Sequence, residues 1–284
     1  MGSLDRLEAA AAALERRVPF HGRSGMTDLV LAERDDDGVL TLTFNRPDRR
    51  NGWSEELEQA YYARLTDAAA DGDVRAVVVT GAGSTFCPGA DISRLGGLGE
   101  EGARLSHRPV DVPRRFPKPL IAAINGACAG VGLVQALFCH IRFAADTARF
   151  TTAFARRGLV AEYGIAWTLT RLIGTENALD LLLSARTVEA PEAKELGLVS
   201  RVVPRDDVLA AAQAYAGDIA RNCSPRAMAV IADQVLADQD GTYDDALARS
   251  YGLVDGFIGS VDLREGVASF LEKRTPRFAP LDPG

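Results

Sequence analysis

Phe86-Cys-Pro-Gly-Ala-Asp91 and Asn125-Gly-Ala-Cys-Ala-Gly-Val-Gly132 are the stretches on which the reading of this chain turns. Each follows an apolar, strand-like run: Val77-Val-Val-Thr80 precedes the first, Leu120-Ile-Ala-Ala-Ile124 the second. Each is rich in Gly and Ala and leads into a helix-like segment. Two small-residue turns at the ends of two buried strands can aim two backbone N–H groups at one point. That is the construction of an oxyanion hole, which stabilises negative charge developing on a carbonyl oxygen. Neither turn carries an obvious nucleophile or metal ligand.

Outward from these turns, strand and helix alternate. Residues 28–34 and 38–44 predict two strands around Asp35-Asp-Asp-Gly38, a hairpin signal. Ser54 reads as the N-cap of a helix that runs over 55–70. A strand is expected at 75–80, then a Gly-rich, charged loop or irregular helix at 93–110, a strand at 120–124 and a helix at 131–138. A strand at 140–145, an extended piece at 147–152, helices at 162–172, 174–184 and 189–196, and a strand at 198–203 follow. From 206 to 273 the pattern is almost wholly helical. The alternation implies an α/β fold. It divides into an N-terminal helical appendage (1–25, with a helix at 4–17), a core holding the site (26–205) and a C-terminal helical subdomain (206–284).

Of the 284 residues, 47% are hydrophobic and 25% charged, which is ordinary globular composition with ample length for a core. The net charge of -7 argues against nucleic acid as a partner. No run approaches the ~18 apolar residues a membrane span needs, and the N-terminus shows no secretory pattern. Cys87, Cys128, Cys139 and Cys223 form no CxxC pair and read as small buried hydrophobes in a reducing compartment, not as a metal site. A cytoplasmic location is the expectation. The Gly-x-Gly pieces at 81–83 and 130–132 lack the third Gly of a dinucleotide fingerprint.

The chain resembles the crotonase, or enoyl-CoA hydratase/isomerase, superfamily over roughly residues 28–278. The resemblance rests on the two opening motifs and on Asn45-Arg-Pro-Asp-Arg-Arg-Asn51, Val77-Val-Val-Thr-Gly81 and Lys118-Pro-Leu-Ile-Ala-Ala-Ile-Asn-Gly126. Ala178-Leu-Asp-Leu-Leu-Leu183, Ala193-Lys-Glu-Leu-Gly-Leu-Val-Ser-Arg-Val-Val203 and Phe270-Leu-Glu-Lys-Arg274 complete it. Their order and spacing carry more weight than any single motif. It implies a crotonase (ClpP-like) spiral of ββα units with a C-terminal helical trimerisation region, a homotrimer or dimer of trimers, and an acyl-CoA thioester as ligand. Coenzyme A would then be part of the substrate, with no separate cofactor. It also implies that the Ala90 and Val131 N–H groups form the oxyanion hole. Relatives mostly carry Gly at the Val131 position, and the added side chain narrows the space there.

Hydratases of this family use two glutamates, which the resemblance would place at Val134 and Phe154. Neither side chain can move a proton, and water addition to a conjugated double bond needs a general base and a general acid. Gly158-Leu-Val-Ala-Glu-Tyr-Gly164 offers a substitute in Glu162, where isomerases of the family carry a single proton-shuttling carboxylate. Leu159, Val160 and Trp167 would raise its pKa if they bury it; a residue that merely stabilises a helix N-terminus is the plainer reading. Enoyl-CoA isomerisation is therefore the leading expectation. Divergent hydration, β-diketone-type C–C hydrolysis and a non-catalytic acyl-CoA-binding paralogue remain as alternatives.

Asp91 reads as a helix cap and His140 as structural. Arg46, Arg49, Arg50 and Lys273 are candidates for the CoA phosphates. The resemblance supports backbone contact near Asn51 and Gly52 above any one Arg. Ser93, Leu95 and the 93–110 loop are expected to shape the acyl pocket.

Overall fold

A computed structural model of the chain describes residues 29–91 and 110–281. The expected helix at 4–17 and nearly all of the 93–110 segment, with Ser93 and Leu95, lie outside those residues.

β1 (Val30–Arg34) and β2 (Val39–Phe44) form the expected hairpin, paired antiparallel from Val30↔Phe44 to Arg34↔Leu40. Asp35 closes it by accepting from the Asp37 and Val39 N–H groups at 3.0 and 2.8 Å, an Asx-type turn. Ser54 caps α1 (Glu55–Ala70), its hydroxyl accepting from the Leu57 N–H at 3.2 Å. Glu55 and Glu56 lie in the first turn, at the positive end of the helix dipole. Lys118 holds the other end. Its buried Nζ donates to the Ala68 and Asp71 carbonyls at 2.7 and 2.6 Å, where a helix leaves acceptors unpaired. Burial lowers its pKa to about 8.

The chain then lays strands alternately into two sheets. β3 (Ala76–Gly81), β5 (Leu120–Ile124), β7 (Ile141–Ala145) and β10 (Arg201–Val203) extend the hairpin into a six-stranded sheet, ordered β1-β2-β3-β5-β7-β10 and parallel beyond β2. β4 (Thr85–Cys87), β6 (Ala127–Ala129), β8 (Arg149–Thr151) and β9 (Val188–Glu189) form a second sheet in that order. Successive units β3–β4, β5–β6 and β7–β8 thus each contribute one strand to each sheet, which makes the chain a spiral. Every residue of β3 and β5 is buried, as central parallel strands require. Between the units run α2 (Val131–Phe138), α3 (Ile165–Ile173), α4 (Thr175–Ser184) and α5 (Ala190–Glu195).

α6 (Val208–Asn222) packs across β2, β3, β5 and β7 through Val208, Ala212, Ala216 and Ala220. Phe44, Trp53, Tyr61 and Phe86 meet edge-to-face, with centroids 5.1 to 6.1 Å apart. Such pairs contribute roughly 0.5–1.5 kcal/mol each beyond burial. α7 (Pro225–Asp238), α8 (Tyr243–Phe257) and α9 (Val261–Glu272) complete the chain. The tail folds back, Arg75 donating to the Phe278 carbonyl at 3.1 Å.

Candidate active site

β4 and β6 are parallel neighbours in the small sheet, with Cys87 opposite Cys128. Three residues beyond Cys87 lies Ala90, and three beyond Cys128 lies Val131. The turns between touch. Gly89 has φ +108°, and a Cβ added there would lie 3.2 Å from the Ala129 carbonyl oxygen and 3.9 Å from the Gly130 Cα. Gly130 itself has φ +50°. Only glycine accepts both the close approach and these torsions at little cost.

Trp53 and Ala90 form a parallel bridge. The Trp53 N–H donates to the Gly89 carbonyl at 2.8 Å, and the Asp91 N–H donates to the Trp53 carbonyl at 3.0 Å. In that pattern the central residue's own N–H points away from its partner, so the Ala90 amide faces outward from Trp53. Val131 is the first residue of α2, where a helix leaves N–H groups without intrahelical acceptors. The Val134 N–H is the first to bond back, to the Gly130 carbonyl at 3.1 Å. Two adjacent turn apices and a positive helix end therefore serve one small region, a setting for a developing oxyanion.

Val134 and Phe154, where the resemblance would place the hydratase carboxylates, are both buried and apolar. Ala153, beside Phe154, has φ +63°, a conformation that L residues seldom hold. Glu162 is half-buried in the turn before α3. Tyr163 and Gly164 follow it with φ +54° and +73°, so the helix expected from 162 begins at Ile165, whose N–H donates to the Glu162 carbonyl at 3.0 Å. Strain of this kind at Tyr163 costs on the order of 1–3 kcal/mol and concentrates at functional sites. The apolar enclosure expected around Glu162 needs correction. Val160 is 79% exposed, and Trp167 is flanked by the guanidinium groups of Arg114 and Arg171, 4.8 and 3.9 Å from its ring centre.

Among the basic candidates, Arg46 turns inward. It donates to the Gly52 carbonyl and pairs with Asp91 at 3.0 Å. The segment that Asp91 was expected to cap lies outside the described residues. Asn51 is fully buried. Its side chain accepts from the Arg46 N–H and donates to the Ala82 and Thr85 carbonyls. The Gly52 N–H donates to the Arg49 carbonyl at 3.0 Å. The 45–52 turn is thus held by its own residues, while Arg49, Arg50 and Lys273 are exposed. Lys273 caps α9 in the left-handed conformation.

His140 is a structural residue. Its Nδ1 accepts from the Leu120 N–H at 3.0 Å, and its own N–H donates to the Leu120 carbonyl at 2.9 Å. Burial, reinforced by the Arg142 guanidinium, lowers its pKa from 6.5 to about 4. Between those values the unfolded chain binds a proton that the folded chain refuses, so stability falls as pH drops from about 6.5 toward 4. His140→Asn, which keeps an acceptor for Leu120, is expected to flatten the decline in Tm over that range. A Tm–pH profile parallel to that of the wild type would refute the assignment. Cys87 and Cys139 are pushed up to about 12 by burial, which makes them poor nucleophiles. Among the described residues no group of three or more His, Cys, Asp or Glu could hold a metal ion, and no helix is long and apolar enough to cross a membrane.

Two buried polar residues, Gln135 and Glu58, escape a reading of the sequence. Gln135 donates from Nε2 to the Tyr62 hydroxyl at 3.0 Å, and Glu58 accepts from the Trp53 indole N–H at 3.0 Å. Gln135 left a trace, as the lone polar residue in Val-Gly-Leu-Val-Gln-Ala-Leu-Phe. Glu58 left none.

A family model described as enoyl-CoA hydratase/isomerase matches residues 34–280. The 1,2-epoxyphenylacetyl-CoA isomerase of Escherichia coli strain K12 is 33% identical over 253 residues, covering 86% of this chain and 95% of that protein. An enoyl-CoA hydratase structure from Bacillus anthracis is 30% identical with a TM-score of 0.82, covering 88% of this chain and 99% of its own. One from Mycobacterium marinum is 48% identical with a TM-score of 0.66, covering 75% of this chain and all of its own.

Proposed function

Because the chain belongs to the enoyl-CoA hydratase/isomerase family, we propose that it isomerises an enoyl-CoA thioester by a proton shuttle on a single carboxylate, Glu162. The observation that carries this reading is the combination of two touching turns with Val134 and Phe154 buried and apolar. An anion-stabilising site remains, and the paired acid and base of hydration do not. In the proposed reaction Glu162 removes a C2 proton from a 3-enoyl thioester. The electron pair moves onto the thioester oxygen, giving a dienolate held by the Ala90 and Val131 N–H groups. The Glu162 acid then returns the proton at C4, leaving the 2-enoyl thioester with no water added. Exposed Arg49 and Lys273, with the backbone at 51 and 52, are the proposed contacts for CoA.

The Bacillus anthracis and Mycobacterium marinum relatives are named enoyl-CoA hydratases, which favours a second reading, hydration. Incubation with 2-enoyl- and 3-enoyl-CoAs in D2O separates the two. Double-bond migration with deuterium at C2 or C4 and no gain of water supports isomerisation. A product heavier by one water, or no turnover at all, overturns it.

Self-association belongs to the same reading. No residue of α8 is buried, and Tyr243, Tyr251, Ile258, Val261, Phe270 and Leu271 are 64–82% exposed. So large an apolar surface on α8 and α9 marks an interface. The proposed assembly is a trimer or a dimer of trimers, and a monomeric mass by sedimentation equilibrium would remove it.

A further inference from the structure

The Ala90 and Val131 amides are held in different ways. Val131 opens α2, and the helix itself fixes the direction of its N–H. Ala90 has no such frame. It follows Gly89, whose φ of +108° lies where glycine alone enters readily. A peptide group is planar, with its C=O and N–H pointing to opposite sides. The Gly89 carbonyl and the Ala90 N–H belong to one such plane. The bond from the Trp53 N–H to that carbonyl, at 2.8 Å, therefore sets where the Ala90 N–H points.

The same geometry recurs one peptide earlier. The Trp53 N–H shares its plane with the Gly52 carbonyl, and that carbonyl accepts from Arg46 Nη1. Arg46 thus donates to peptide 52–53, which donates to peptide 89–90, whose N–H is the proposed oxyanion donor. Every bond in this series runs the same way, from the guanidinium toward the thioester oxygen. Hydrogen bonds in such a chain polarise one another, and a charged donor at its head makes the strongest bond. The second prong of the guanidinium, Nη2, meets Asp91 Oδ2 at 3.0 Å, on the residue after Ala90. One side chain therefore spans the Trp53–Ala90 bridge from the residue before Trp53 to the residue after Ala90. A Cβ added to Gly52 would lie 3.5 Å from the Asp91 Cα, so the two segments already touch there. Arg46 is fixed from its own backbone as well. Its N–H donates to Asn51 Oδ1 at 2.9 Å, and its carbonyl accepts from the Asn51 N–H at 2.8 Å. With 18% of the Arg46 side chain and 11% of that of Asp91 exposed, water competes little for the pair.

We infer that Arg46 is a positioning residue: through two successive peptide groups it aims the Ala90 N–H and strengthens it as a donor to the thioester oxygen. It acts through the main chain and not by contact with the substrate. The inference rests on the oxyanion site proposed above and deepens it. Asp91 keeps the fork of the guanidinium oriented. Arg46→Met removes the head of the relay. Asp91→Asn breaks the ion pair but leaves the guanidinium able to donate to the Gly52 carbonyl.

Difference infrared spectroscopy of a bound saturated acyl-CoA, isotopically labelled at the thioester carbonyl, tests this without requiring turnover. In wild type the carbonyl band is expected to lie below its position in water, because aimed donors weaken the C=O bond. Arg46→Met is expected to lose about half of that shift or more, while Kd for the ester stays within about 2-fold. For the proposed migration its kcat is expected to fall on the order of 10-fold or more. Asp91→Asn is expected to lower Tm and keep most of the shift. Should Arg46→Met fail to fold, Arg46→Lys, whose single ammonium cannot hold both partners as the fork does, is held to the same loss of shift. An Arg46 that serves stability alone would lower Tm on substitution and leave the band at its wild-type position, and that result overturns the inference while the proposed function stands. Polarisation of the ester by wild type without double-bond migration removes the isomerase reading alone. An unshifted band in wild type, or no binding of any acyl-CoA, overturns both.

Discussion

Glu162→Gln is expected to lower kcat for double-bond migration by roughly 10³-fold, the middle of the range that general acid–base groups supply. That corresponds to about 4 kcal/mol of barrier. Glutamine preserves the size of the side chain and its hydrogen-bonding reach but cannot carry the proton between C2 and C4. Affinity for the acyl-CoA is expected to stay within about 2-fold, because in the proposed mechanism Glu162 acts on the reacting carbons and not on the CoA. The split between kcat and Kd separates a proton carrier from a residue that stabilises α3. A merely structural Glu162 would lower Tm and leave turnover per folded molecule unchanged. Retention of a tenth or more of wild-type kcat would sink the assignment.

Gly132→Ala is expected to destabilise the fold strongly. A Cβ there would sit 2.2 Å from the Cys87 carbonyl oxygen and 2.8 Å from the Cys87 sulfur. The oxygen belongs to the backbone of β4, so relief requires moving either that strand or α2. Overpacking of this kind costs about 3 kcal/mol or more, which corresponds to a Tm lower by roughly 6–12 °C. Because Cys87 leads into Ala90 and Gly132 follows Val131, the same shift would spread the two turns and depress turnover. Gly158→Ala is the control. Its φ is +69°, but nothing lies within 4 Å of an added Cβ, so only torsional cost of about 1–2 kcal/mol applies. Equal Tm losses in the two variants would show that the contact between α2 and β4 is not the constraint described.

Much of the fold was legible because long apolar runs have few alternatives. β3 and β5 are buried throughout and stand out as Val- and Ile-rich segments bounded by Gly and Pro. The small sheet was not legible as strands. β4 and β6 are three residues each, drawn from Thr-Phe-Cys and Ala-Cys-Ala, too short for any periodicity to register. Their turns stand out in the sequence as Gly-rich breaks; the strands that bring them side by side do not. The site was legible where family motifs coincide with small residues, and opaque where it depends on distant pairing. Arg46 looked like a phosphate ligand because nothing local announces Asp91, 45 positions away. Glu58 is a buried acid on a helix whose neighbouring acids, Glu55 and Glu56, are exposed, and only the Trp53 indole distinguishes it.

The lateral pairing of β4 with β6 has a consequence for how chemistry can change on this scaffold. Neighbouring strands lie about 4.8 Å apart wherever peptide groups bond across a sheet. The separation of the two turn apices is therefore inherited from main-chain geometry, and side-chain identity enters only where a Cβ would collide, as at Gly81, Gly126 and Gly132. In the proposed site, the part that holds the electrophile and the part that handles the proton are consequently independent variables. On the proposed reading, the distance between the amides does not depend on which neighbouring position bears a carboxyl group, so one cradle can host different reactions.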